Sequence, residues 1–325
     1  MIEHVVLTGA NGFVGQAVRR ALLAYGAQVS LVVRRASAAP GSASTLDPAA
    51  CEVLAGDNFV DIGVAWPPRL KPHCVIHLAA RVHMMNDTSS DPLAAFRETN
   101  VAGTLRVAAA ASRAGVRRFV YVSSVKAVAE RDGGQPLSER DPTHPVDPYG
   151  ISKLEAELAL SAYGARHGME IVLVRPPLVY GPGVRANFLS LMSVLTRGIP
   201  LPLGAVQARR SMIFVDNLAD ALVACATSTH AAGETFHVSD GEATTIADFI
   251  RLLARQLQAP SRLLPVPPTL LRVAGKLTGR SAQVDRLIDS LQLDTRHIRE
   301  AIGWAAPYSM EQGLLETANW YRATH

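Results

Sequence analysis

The chain has 325 residues, of which 48% are apolar and 18% charged, and a net charge of +4. That length suits one large α/β unit or two closely joined parts around a sizeable core, and no apolar run reaches the roughly 18 residues that span a membrane. The positive charge is dispersed as pairs such as Arg19-Arg20, Arg34-Arg35, Arg117-Arg118 and Arg209-Arg210. Without a basic block, this argues against nucleic acid while leaving arginines for a small anionic ligand.

Through residue 175 the chain alternates strand and helix. Short, often β-branched runs at Val5-Leu7, Val29-Val33, Val53-Leu54, Val75-Leu78, Phe119-Val122 and Ile171-Val174 read as buried parallel strands. Helical patterns at Val14-Tyr25, Leu93-Ala114 and Tyr149-Arg166 lie between several of them. Such alternation predicts right-handed βαβ units and a Rossmann-type doubly wound parallel sheet. After Arg175 the pattern breaks into shorter elements with Pro/Gly-rich stretches at 176–183 and 198–204. The expected organisation is a dinucleotide-binding domain over 1–175 and a smaller substrate-binding part over 176–210 and 239–325. Residues 211–238 return to the first domain through strands at Ser211-Val215 and Thr235-Val238.

Met1-His4 lead straight into an apolar strand without a basic leader, so a cytoplasmic location is expected. Cys51, Cys74 and Cys225 are far apart and form no CxxC, which reads as plain thiols without a disulfide or zinc framework. The histidines show no metal-ligand spacing.

Gly9, Gly12 and Gly15 in "VVLTGANGFVGQAV" follow the first strand and open the first helix. Glycines there permit a tight turn, let backbone approach a pyrophosphate and let helix pack close to sheet, while the helix N-terminus faces the phosphates. A dinucleotide is the expected ligand of this turn. Further on, "DPYGISKLEAE" places Tyr149 four residues before Lys153, one of only four lysines in the chain. On a helix the two share one face, either as an exposed pair or as an acid/base tyrosine whose phenolate a nearby cation favours, lowering its reference pKa of about 10.

"TGANGFVG", "HLAA" at 77–80, "NVAGT" at 100–104, "VYVSS" at 120–124 and "YGISK" at 149–153 resemble, in order and spacing, the extended short-chain dehydrogenase/reductase family of nucleotide-sugar epimerases, dehydratases and reductases. "RPPLVYGPG", "RRSMIFVDN" and "IGW" at 302–304 extend the resemblance over nearly the whole chain. It implies Ser124, Tyr149 and Lys153 as catalytic residues, with the serine bonding the reacting oxygen and the lysine also holding the cofactor ribose. Cofactor contacts are implied at Gly9, Asn11, Gly12, Phe13, Val14, Gly15, Arg34, Asp57, Asn58, Leu78, Ala79, Ala80, Asn100 and Pro176, besides Tyr149 and Lys153. His77 is expected to be structural. For the nucleotide sugar, the resemblance implies Arg210 at the diphosphate, Asn187 and Phe188 at the uridine, and Arg286 as a second arginine; Lys126 either faces substrate or lies at the surface.

Departures from the family pattern narrow the reaction. Dehydratases follow the serine or threonine with Asp-Glu, where this chain has Val125-Lys126. Val128 and Ala129 replace the usual Tyr-Gly, which reshapes the pocket wall, and Leu178 replaces an asparagine that touches the nucleotide in many relatives. The end of strand two offers Arg34 and Arg35 instead of an acid, which favours NADP(H) over NAD(H), because an arginine can pair with a 2′-phosphate that a carboxylate would repel. The "AARVHMMND" and "RPPLVYGPGVRANFL" stretches are most similar to bacterial 4-ketoreductases that reduce a UDP-4-keto-6-deoxy-N-acetylhexosamine to UDP-N-acetylquinovosamine for surface polysaccharide. A UDP-hexose or UDP-N-acetylhexosamine 4-epimerase is the alternative. A non-catalytic dinucleotide sensor is a remote third, since such a protein is expected to lose Tyr149 and Lys153. Relatives pair through the helices after strands four and five, so a homodimer is expected.

Overall fold

The structure, a computed structural model, describes residues 3–34, 52–82, 91–279 and 281–325. Cys51, Arg35 and the 83–87 portion of "AARVHMMND" lie outside these residues. The first part of the chain runs β1 (His4–Thr8), α1 (Phe13–Ala24), β2 (Gln28–Arg34), β3 (Glu52–Ala55), α2 (Ile62–Ala65) and β4 (Cys74–His77). A long helical stretch follows as α3 (Pro92–Arg97), a π-helical segment (Glu98–Gly103) and α4 (Thr104–Arg113), then β5 (Arg118–Val122), α5 (Pro148–His167) and β6 (Glu170–Arg175). The remainder comprises β7 (Leu178–Tyr180), α6 (Ala186–Thr196), β8 (Arg209–Arg210), β9 (Met212–Phe214), α7 (Val215–Thr227), β10 (Thr235–His237), β11 (Thr244–Thr245), α8 (Ile246–Gln256), α9 (Pro268–Leu277), α10 (Ser281–Ile288), α11 (Arg296–Ile302) and α12 (Met310–Thr324).

Seven strands form one parallel sheet in the order β10-β6-β5-β4-β1-β2-β3. Alternate residues of β1 feed opposite faces. Val5 and Leu7 join Val18, Leu22 and Leu218 in one core, and Val6 joins Val75, Val107 and Leu160 in the other. A two-sided core explains the continuous apolar runs seen in the sequence. The strand order reverses direction between β1 and β4, and in open α/β sheets ligands bind in the crevice at the carboxyl ends beside that switch point.

The expectation for Ser211-Val215 is corrected. Met212–Phe214 pairs with Leu178–Tyr180 in a separate two-stranded sheet, not with the main one. The pairing is anchored by Asp240, whose carboxylate accepts from the Phe214 amide at 2.8 Å, the Asn217 side chain at 2.7 Å and the Tyr180 hydroxyl at 2.5 Å. Beside it, residues 290–293 run between two other segments. Leu291 exchanges backbone bonds with Arg209 and Ser211, while Ser290 and Gln292 accept from Asp132 and Leu137. This ladder brings the Arg209–Ser211 segment against the loop that follows β5.

Candidate active site

The turn after β1 is built by steric necessity. Gly9 has φ +70°, and a Cβ there would lie 2.8 Å from the Ala79 nitrogen. A Cβ on Gly15 would sit 2.1 Å from the Gly9 carbonyl oxygen, a backbone atom that cannot step aside. Asn11 and Gly12 are exposed and Phe13 and Val14 half-buried, so the edge of this turn is open. The N-terminus of α1 has no side-chain cap and no acidic residue in its first turn. Uncapped amides at a positive helix end fit a dinucleotide pyrophosphate.

Across the crevice, Leu78, Ala79 and Ala80 are half-buried just after β4, and the amides of Leu78 and Ala79 donate to Thr8 Oγ1 at 3.2 and 3.1 Å. His77 is fully buried between Thr8 Oγ1 at 2.8 Å and Thr104 Oγ1 at 3.1 Å, and burial pushes it down to about 3. It stays neutral and structural. Asp57 is exposed just after β3, where Asn58 accepts a bond from Thr99 at 2.8 Å; Arg34 is exposed at the end of β2 beside it. Pro176 is buried, and its carbonyl accepts from the Val125 amide at 3.0 Å.

Asn100 departs from expectation. It is fully buried, its amide nitrogen donates to Ser152 at 2.9 Å and the Arg81 carbonyl at 3.1 Å, and its oxygen accepts from the Arg81 amide at 2.8 Å. With both polar atoms committed, it supports the loop beneath the cofactor edge and does not open onto it.

Ser124 and Tyr149 are both half-buried, at the end of β5 and in the first turn of α5. Lys153, one turn further, is buried; its Nζ donates to the Val122 carbonyl at 2.8 Å and lies 4.6 Å from the Tyr121 ring centroid and 5.9 Å from that of Tyr149. Burial draws the Lys153 ammonium down to about 7, against the opposing charge of Glu157. The expected lowering of Tyr149 is corrected: burial pushes its hydroxyl up to about 12, and the Ser124 hydrogen bond that favours the phenolate only partly offsets this. The physical reason is desolvation of the phenolate itself, to which repulsion by the nearby Asp147 carboxylate adds. In this form Tyr149 holds its proton.

The substrate side is mixed. Arg210 Nε and Nη2 are buried without a hydrogen-bond partner. Buried guanidinium nitrogens without partners are donors that an anion can satisfy. Asn187 is exposed at the start of α6. Phe188 is corrected, because its ring is buried against Tyr180 at 6.0 Å and Phe249 at 5.8 Å, as part of the core. Lys126 is also corrected: its Nζ pairs with Asp147 at 2.5 Å and Glu130 at 3.0 Å, which leaves it neither facing substrate freely nor loose at the surface. Arg286 lies 3.7 Å from Glu130 and 3.8 Å from Asp147. Val125 and Val128 pack with Leu137, Leu291 and Leu293, so the residues replacing the family's polar positions fasten the catalytic loop to the ladder. Leu178 is exposed. Cys74 and Cys225 are buried free thiols, and no cluster of metal-ligating side chains occurs among the described residues. No helix among them is long and apolar enough to cross a membrane.

The sequence over residues 5–239 matches the model of the NAD dependent epimerase/dehydratase family. The chain belongs to that family. It is 39% identical over 320 residues to a UDP-glucose 4-epimerase of Vibrio cholerae, covering 98% of this chain and 95% of that protein. Its fold matches a UDP-glucose 4-epimerase of Thermotoga maritima solved with UDP-glucose, at a TM-score of 0.76 and 24% identity over 99% of both chains. It also matches MoeE5 in complex with UDP-glucuronic acid and NAD, at a TM-score of 0.76 and 25% identity, covering 99% of this chain and 100% of that one. It is thus an enzyme of a family that acts on nucleotide sugars with a nicotinamide cofactor.

Asp147, Glu130, Glu157 and Arg175 were not singled out from sequence. The Asp-Pro pair at 147–148 is a helix-start signal, an N-cap followed by proline at the first helical position, and Glu157 is one turn beyond Lys153. Those two were legible. The Glu130 and Arg175 pairings are long-range and were not.

Proposed function

We propose that this chain oxidises and reduces C4 of a UDP-linked hexose. The observation that carries the reading is the convergence of Ser124, Tyr149 and Lys153 at the carboxyl end of β5, beside an uncapped glycine turn, with the unpaired Arg210 guanidinium held against the same loop. A nicotinamide dinucleotide, which the Gly9–Gly15 turn and the uncapped start of α1 would hold, would accept the hydride from C4 and return it there. Ser124 holds the C4 oxygen, and Tyr149 removes its proton during oxidation and returns it during reduction. Lys153 beneath the ring favours the phenolate whenever it is charged. Arg210 grips the diphosphate, with Arg286 released from Glu130 and Asp147 to assist it.

As the net reaction we favour 4-epimerisation, because the 39%-identical Vibrio cholerae relative spanning the chain is a UDP-glucose 4-epimerase. Its substrate here is UDP-glucose or UDP-N-acetylglucosamine. Reduction of a UDP-4-keto-6-deoxy-N-acetylhexosamine is the second reading, favoured by one observation: Arg34 is exposed at the end of β2, where it suits the 2′-phosphate of NADPH, a cofactor consumed in net reduction. Dehydration is disfavoured, since buried Val125 and ion-paired Lys126 supply no free acid and base. A homodimer through α3–α4 and α5 belongs to the proposal; it rests on the family resemblance and on Leu158 of α5, an apolar residue 63% exposed.

Purified protein given UDP-glucose and UDP-N-acetylglucosamine is expected to form the 4-epimer without added cofactor and without net change at the nicotinamide absorbance. Stoichiometric oxidation of NADPH by the 4-keto sugar, with no epimerisation, establishes the second reading instead. In that case NADP(H) binds more tightly than NAD(H), and Arg34→Ala selectively weakens the phosphorylated form; equal dissociation constants before and after substitution refute it. Turnover of neither class refutes both.

A further inference from the structure

Ser124 and Tyr149 must meet on one oxygen, yet they belong to different elements joined by a long loop. Besides the Ser124–Tyr149 hydrogen bond itself, the Asp147 carboxylate links the two elements. Asp147 caps α5, its Oδ1 accepting the Gly150 amide at 2.7 Å, while its Oδ2 accepts Lys126 Nζ at 2.5 Å. Lys126 in turn donates its backbone amide to the Ser124 hydroxyl oxygen at 3.2 Å. The helix and the loop touch directly here, because a Cβ on Gly150 would lie 2.4 Å from the Lys126 carbonyl oxygen. Asp147 and Lys126 are only 15% and 27% exposed, so solvent screens their attraction weakly. Glu130 braces the ammonium at 3.0 Å, and Arg286 approaches both carboxylates from α10.

We propose that the Lys126–Asp147 pair is a positioning clamp that sets the spacing of the Ser124 and Tyr149 hydroxyls; this rests on reading those two residues as the catalytic pair. The clamp joins the backbone segment that orients Ser124 to the cap that fixes the first turn carrying Tyr149. Lys126 therefore acts through its neighbours and does not touch the sugar. Displacing one hydroxyl relative to the other leaves binding surfaces intact but spoils the approach to the reacting oxygen, where a misplacement of about 1 Å costs roughly 100-fold in rate.

The test uses Lys126→Met, Lys126→Arg and Asp147→Asn, the last of which keeps an oxygen to cap Gly150 while removing the charge. Lys126→Met and Asp147→Asn are expected to lower kcat about 10- to 100-fold, with the KM for the UDP-sugar and the Kd for NAD changed less than about two-fold. Lys126→Arg, which retains a cation against Asp147, recovers most of the loss. Crystal structures of the parent and Lys126→Met are expected to show the Ser124–Tyr149 hydroxyl separation increased in the variant. An unchanged kcat and separation overturn the clamp even where the parent turns over UDP-sugars. A raised KM at unchanged kcat overturns it too, by placing Lys126 on the substrate. Should the parent turn over no UDP-sugar, the proposed function falls while the measured separation still decides the clamp.

Discussion

Glu157 and Arg175 form a buried bidentate ion pair, with Oε1 2.9 Å from Nε and Oε2 2.6 Å from Nη2. Glu157 stands one turn beyond Lys153 on α5, and Arg175 ends β6, so the pair ties the catalytic helix to the sheet beneath the lysine. Removing one partner leaves the other charge buried and unpaired. Glu157→Gln is therefore expected to destabilise the fold by about 3–5 kcal/mol. Urea unfolding checks this, and the double variant Glu157→Leu with Arg175→Met should recover part of the loss. A single variant as stable as the parent contradicts the account.

Tyr149→Phe removes the transferable proton and little else, since the ring remains against Phe96 at a centroid distance of 6.0 Å. Turnover is expected to fall about 10²- to 10⁴-fold, with dinucleotide affinity nearly unchanged. Because burial pushes Tyr149 up to about 12 in the free protein, the oxidative direction, which needs the deprotonated form, should accelerate as pH rises from 7 toward 10. A flat pH–rate profile for sugar oxidation with near-normal Tyr149→Phe activity would remove this residue from the mechanism.

How much of this was legible follows the range of the interactions. The strands and the turn after β1 are dictated locally, by apolar runs and by glycines that no other residue can replace. The pairing of Tyr149 with Lys153 needed only helical period. What escaped the sequence was set by burial and by distant partners. Tyr149 is pushed up because its own hydroxyl is buried, with the Asp147 carboxylate nearby. Phe188 turned inward because Tyr180 and Phe249 complete an aromatic cluster. Lys126 found Asp147 across the loop between them, a contact no spacing rule announces.

Arg210 offers two unpaired buried nitrogens, and an anion that satisfies them gains charge-assisted hydrogen bonds of about 1.5–3 kcal/mol each. Arg210→Met is expected to weaken UDP binding roughly 10- to 100-fold, measurable by calorimetry without any turnover. Arg210→Lys should recover only part of this, since a point charge cannot reproduce the planar fork. Unchanged UDP affinity in Arg210→Met would place the diphosphate elsewhere.

Lys153 illustrates a cost in stability carried for function. Burial draws it down to about 7 in the folded protein, whereas an unfolded lysine titrates near 10.4. Between those values the unfolded chain binds a proton that the folded chain lacks, so this group's penalty is full below about pH 7 and fades as pH rises to about 10. A gap of roughly 3.4 pKa units corresponds to at most about 5 kcal/mol. Lys153→Met keeps a long side chain in the same space while abolishing that penalty. It is expected to unfold at higher temperature than the parent at pH 7 and to lose the advantage by about pH 10, where the neutral lysine of the parent still donates to the Val122 carbonyl. Activity should be lost at both values. Parallel stability curves for parent and variant across pH 7 to 10 would show that Lys153 remains charged in the fold and would overturn this account.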